Sequence, residues 1–147
     1  MYYKRTVAVT ARLAVALSIA GCASTGRAHR SESGSRDSVK LVGVAPDPAV
    51  KLHPGQQVIF RVKLVSTLVS AETGHISLVI QDNSGRNLKH GGPQSRMGVG
   101  RGTENLELHD EGVVSLDARW VDVFVPLFPE GASNSTAAEA VRFAVVR

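Results

Sequence analysis

The chain is nearly devoid of cysteine: Cys22 stands alone among 147 residues. No intramolecular disulfide can therefore hold the fold, even in a compartment that would permit one. Long apolar runs are missing too. The apolar segment Leu13 to Ala20 is far shorter than the roughly 20 residues a helix needs to cross a hydrocarbon core, which argues against a permanent transmembrane span. No window sustains a helical period, and "STAAEAV" at Ser135 to Val141 is too short for a stable helix. Chemical motifs are equally scarce. The histidines His29, His53, His75, His90 and His109 form no HxH or HExxH pair that would place two imidazoles on one metal. No serine sits in a G-x-S-x-G elbow, and the acidic residues fall singly rather than as a convergent pair. "GVGRG" at Gly98 to Gly102 lacks the lysine and the strand-to-helix setting of a phosphate loop. His109, Asp110 and Glu111 are the densest polar cluster, and they read as a strand-end turn rather than a ligand set. The expectation is a protein with no catalytic residues, no metal site and no enzymatic activity.

The N-terminal segment is informative. Lys4, Arg5 and Arg12 precede the apolar stretch, and small residues follow it, which is the order of a secretory signal. Ile19, Ala20, Gly21 and Cys22 resemble the bacterial lipobox, an aliphatic residue and two small ones before an obligatory cysteine. That resemblance implies a lipoprotein signal peptide over residues 1–21, cleavage before Cys22, and a covalent lipid on its sulfur in place of any cofactor. An ordinary signal peptide that leaves a free thiol is the alternative. More than one acyl chain, at about 0.8 kcal/mol per buried methylene, anchors stably without a membrane helix. Ala23 stands where lipoproteins retained in the inner membrane typically carry Asp. The family rule therefore implies the outer membrane, with the domain facing the periplasm.

Removing the signal also changes the charge. The whole chain carries a formal +4, which would ordinarily raise nucleic acid as a partner. Without Lys4, Arg5 and Arg12 there are 14 basic residues against 13 acidic, and from Ser38 onward 11 against 11. A neutral domain has no long-range attraction for a polyanion, so nucleic acid is not an expected partner.

"ASTGRAHRSESGSRD" (Ala23 to Asp37) has no large apolar residue and reads as a disordered tether, so residues 22–37 form a lipidated linker. From Ser38 the pattern becomes period-2 alternation broken by turn residues. Strands are expected over Val39–Ala45, Val58–Val69, Gly74–Asp82, Thr103–His109, Ala118–Phe128 and Ala140–Val146, with a short edge strand at Asn87–Lys89. Turns are expected at Pro46–Pro48, His53–Gln57, Asp82–Asn87 and Asp110–Gly112. Gly91 to Gly102 reads as a loop or a poorly formed edge strand. About seven strands without helices predict an all-β, antiparallel two-sheet sandwich over residues 38–147, a size at which one core suffices.

Strand count, spacing, the "PG" turn and the closing "FAVV" strand are similar to the immunoglobulin-like domains of fibronectin type III kind found in bacterial envelope proteins. The chain departs from the antibody type in lacking paired cysteines and in carrying Trp120 on the penultimate strand. Pro126 within that strand predicts a break or bulge near Phe124 to Leu127. If Val121, Val123, Val125 and Leu127 face the core, Trp120, Phe124 and Phe128 face the other way. Those three rings form a candidate interaction surface, unless a bulge or the glycine-rich loop covers them. The functional expectation is a protein-binding or accessory module of the cell envelope, held to the membrane by its lipid. A small-ligand or glycan binder using an aromatic platform is the alternative. The end loops Ser70–Gly74 and Pro129–Ala137 are further candidates by position.

Overall fold

The computed structural model describes residues 36–88 and 94–147. The lipobox residues Ile19, Ala20 and Gly21, the lipidation site Cys22 and His90 lie outside the described residues. Six strands follow in order: β1 (Ser38–Ala45), β2 (Gln57–Ser77), β3 (Val79–Asp82), β4 (Arg96–Val113), β5 (Trp120–Pro129) and β6 (Ala137–Ala144). All named pairings are antiparallel, and among the described residues there is no helix long and apolar enough to cross a membrane. The fold is all-β and antiparallel, as the alternation predicts.

Two long strands build both layers. β2 pairs with β1 from Ser38↔Thr67 to Ala45↔Arg61, and its far end pairs with β5 at Gly74↔Pro129 to Ile76↔Leu127. β4 follows β2 along its whole length. One layer is thus β1–β2–β4, and the other is the opposite halves of β4 and β2, with β3 in line, then β5 and β6. The strands change layer at a register shift, where residues 69–72 of β2 face the single residue Arg101 between Gly100 and Gly102. Glycine makes the bend feasible. Gly102 has φ of +116°, and a Cβ on Gly74 would lie 2.6 Å from the Phe128 carbonyl oxygen.

The inward rows meet between the layers. Val58, Phe60, Val62, Leu64, Ile76, Leu78, Ile80, Leu108, Val121, Val123, Val125, Leu127 and Phe143 are all buried there. Phe60 of one layer meets Phe143 of the other edge to face, with centroids 5.2 Å apart. Such a pair contributes about 1 kcal/mol beyond the area it buries.

Several expectations need correction, and each has a local cause. The strands expected at Val58–Val69 and Gly74–Asp82 are one continuous β2, interrupted only at Leu78 before β3. "SAETG" (Ser70–Gly74) is therefore a bend inside a strand rather than an end loop. Arg96 to Gly102 belongs to β4, and so does Asp110–Gly112, because β2 offers ladder partners to both segments. The turn falls later, at 114–119. Asn87 makes an isolated bridge to Gln81, while Lys89 lies outside the described residues. β5 does not break at Pro126. The proline is buried opposite Ala138, and on its other side the β3 and β2 pairings stop at Val79↔Phe124 and Ile76↔Leu127. A residue without a ladder donor falls in the gap that the Leu78 interruption leaves. Leu78 donates instead to the Ser95 carbonyl, at 2.7 Å.

Candidate functional site

Alternation along β5 sends Val121, Val123, Val125 and Leu127 to the core and leaves Trp120, Asp122, Phe124 and Phe128 on the outer face of the second layer. All three rings are half-buried there rather than folded away. The cross-strand neighbours of Trp120 and Phe124 are small or aliphatic: Ala144 beside Trp120, and Val79 and Ala140 flanking Phe124. Pro126 and Ala138 continue the strip toward Phe128. The result is a band of rings and small side chains on the outer sheet face, crossed between Trp120 and Phe124 by the polar row Gln81–Asp122–Arg142.

Each end of the band has one ring engaged by a neighbour. Arg142 of β6 forms a fork with Asp122, at 2.6 and 2.8 Å, and its guanidinium carbon lies 4.6 Å from the Trp120 ring centroid. The carboxylate thus holds a cation against the indole. His75 stacks on Phe128 with centroids 5.0 Å apart and planes 12° from parallel. Desolvation, and then the charge of Arg96, push the His75 pKa below its ordinary value, so the stacked imidazole is neutral at pH 7. Phe124, between them, keeps its half-exposed ring at the middle of the band.

The outer face of the first layer has a different character. Ala45, Arg61 and His109 form one row across it, and Gly43, Lys63 and Glu107 the next. Lys63 and Glu107 pair loosely at 3.9 Å, both largely exposed. The missing side chain at Gly43 helps open a shallow groove of about 350 Å³ between them. His109 and Glu111 face outward while Asp110 is buried on the inner side of β4, so the three do not converge on one point. Among the described residues no group of three His, Cys, Asp or Glu side chains could hold a metal ion.

Sequence reasoning missed two carboxylates. Asp37 accepts from the Val69 and Ser70 amides (2.8 and 3.0 Å), the Ser70 hydroxyl and the Thr136 hydroxyl (2.6 Å). Partial burial opposes its charge, but these donors hold its carboxyl well below the usual range. Arg101 supplies the complementary half by donating to the Val69 carbonyl, at 3.2 Å. Side chains thus satisfy the Val69 and Ser70 amides and the Val69 carbonyl where the bend takes them out of the ladder. Asp82 is buried, and burial raises its pKa, yet donors from Ser115, Ser84 and the Arg86 amide bring it down to about 2. "DNSGR" carried a readable signal for the second cluster, since Asp two residues before an amide is the Asx-turn pattern.

Fold and face together define a class: an antiparallel β-sandwich domain with aromatic rings on the outer face of β5. No protein-family model matches the chain, and no curated protein matches it. Among solved structures it is similar to a conjugative transposon lipoprotein from Bacteroides eggerthii. That protein is 17% identical, the match covers 74% of this chain and 97% of that chain, and the TM-score is 0.38.

Proposed function

We propose that this chain is a bacterial lipoprotein, anchored at the outer membrane through acylated Cys22 and facing the periplasm. Its immunoglobulin-like sandwich is a non-catalytic module that docks another envelope protein on the outer face of β5. Ala23 to Asp37 serves as the tether between lipid and domain, and its last residue, Asp37, meets the bend of β2. The anchor reading rests on the chain's own order of basic residues, apolar stretch and Ile19-Ala20-Gly21-Cys22. The pairing order supports the immunoglobulin-like reading. β1, β2 and the end of β4 occupy the places of strands A, B and E, while the end of β2 with β3, then β5 and β6, occupy those of C, F and G.

One observation carries the docking reading: Phe124 stays half-exposed between two rings that are already engaged, beside Val79, Pro126, Ala138 and Ala140. Half-exposed aromatics flanked by small residues offer a partner a large contact area at little entropic cost. Arg142 and His75 occupy ring faces on which a sugar would stack, so the geometry favours a protein over a glycan.

Two measurements test the proposal. Palmitate should label the chain in cells, and Cys22→Ala should abolish labelling and release protein from the membrane fraction; an unlabelled, soluble wild type overturns the anchor. A photocrosslinker at Phe124 in native membranes should then capture a defined protein that one at Lys40 does not. Equal capture from both positions, or capture of cell-wall glycan alone, overturns the docking face.

A further inference from the structure

The sheet treats its edges unequally. At the β1 edge the Leu41 amide donates to the Glu139 carboxylate of β6. At the β6 edge Leu52 joins the ladder, donating to the Ala144 carbonyl and accepting from the Val146 amide, both at 2.9 Å. Among the described residues, the far edge of β4 is closed at two points. The His109 amide reaches the Gln94 carbonyl at 3.3 Å, and the Gly100 amide reaches the Glu104 carboxylate at 3.0 Å.

Register defines what lies between them. His109 turns its N–H away from β2, and the pairing from Thr103 to Val113 has no shift, so alternation turns the N–H and C=O of Thr103, Asn105 and Glu107 the same way. Among the described residues nothing accepts or donates at those groups. Their side chains are exposed, whereas Leu106 between them is only partly buried against the core.

We propose that Thr103–Glu107 is a β-addition site that takes an extended segment of another protein, basic on alternate residues and apolar on the others. The backbone groups supply the ladder. Glu107, on the same outward row as Glu111, favours a basic residue opposite, since facing opposite charges stabilise a strand pair. Of the neighbouring cations, Lys63 is loosely paired with Glu107, Arg61 stands opposite His109, and Arg101 is held by Glu72 at 3.0 Å. An apolar residue on the inward side would complete the burial of Leu106. A second copy of β4 paired about Glu107 would bring that carboxylate against its own kind, so charge selects a foreign strand over self-pairing. The site is independent of the aromatic face of β5.

The test uses the full chain with a short synthetic peptide of alternating lysine and valine, and its glutamate–valine counterpart as control. The basic peptide should slow hydrogen exchange at the Thr103, Asn105 and Glu107 amides and bind more weakly as salt rises. Asn105→Pro removes a donor that faces away from β2, a change an edge strand tolerates, and should weaken binding about fivefold or more. If that variant does not fold, N-methylation of the peptide removes hydrogen bonds from the other side with the same expected loss. Equal binding of the acidic peptide, protection outside 103–107, or an unchanged affinity after donor removal overturns the proposal. So does a wild-type dimer that N-methylated peptide cannot disturb and Asn105→Pro abolishes.

Discussion

The two ends of the sandwich are closed by the same device in opposite settings. At the end where β1 begins, Asp37 gathers the bend of β2 and the β5–β6 loop, through partners 32 to 99 residues away in sequence. At the other end Asp82 holds its own turn through Ser84 and Arg86, and reaches outside it to Ser115 at 2.6 Å. Asp37 is half-exposed, while the Asp82 side chain is 1% exposed. A buried carboxylate has lost its hydration and depends wholly on its donors, whereas a half-exposed one can exchange them for water. The same hydrogen-bond pattern therefore differs in worth between the ends.

Deletion should make that difference measurable. Asp82→Ala strands the buried Ser115 hydroxyl and frees the turn amides, and should cost about 2–4 kcal/mol in urea unfolding. Asp37→Ala leaves groups that water reaches and should cost about 1–2 kcal/mol, with faster hydrogen exchange confined to Val69 and Ser70. Equal losses would erase the distinction between the two settings.

Acid should separate the ends more gently. Asp82 has a folded pKa of about 2 against an ordinary 3.8, so between those values the unfolded chain binds more protons and stability falls with pH. Its contribution is complete above about 3.8 and is lost as pH drops through about 2. Asp37 shifts in the same direction. At pH 3 the wild type should have lost only part of what Asp82→Ala removes, and that variant should show a flatter acid profile. A profile as steep in Asp82→Ala as in wild type would assign acid sensitivity elsewhere.

This contrast also explains what could be read from the sequence. The period-2 rows of β2 and β5 revealed the core, because alternation is a local property that survives any topology. The Asp82 turn was legible for the same reason, its signal lying within "DNSGR". Asp37 was read as the last residue of a linker, since its partners Val69, Ser70 and Thr136 meet it only after folding. The bends were misread for a related reason: Gly74 and Gly102 carry loop chemistry, yet at these positions glycine lets a strand change layers. Pro126 signalled a break that the adjoining strands absorb by being interrupted at Leu78. The outer-face rings followed from alternation, but the covers that Arg142 and His75 provide depend on strand neighbours.

The smallest expected effect supplies a reporter for the comparison. Trp120 is the only tryptophan, and it stands at the Asp82 end, one residue after Arg119, whose amide donates to Asn83 at 2.7 Å. Arg142→Ala removes the guanidinium from the ring while leaving the core rows untouched, so emission should shift to the red with the unfolding midpoint nearly unchanged. With Arg142 in place, Asp82→Ala should disturb Trp120 emission before global unfolding, because the turn it loosens abuts the start of β5. Asp37→Ala should not, its partners lying at the other end of that strand. Emission that responds alike to both carboxylate deletions would mean that the ends are coupled through β5, and that the sandwich opens as one unit.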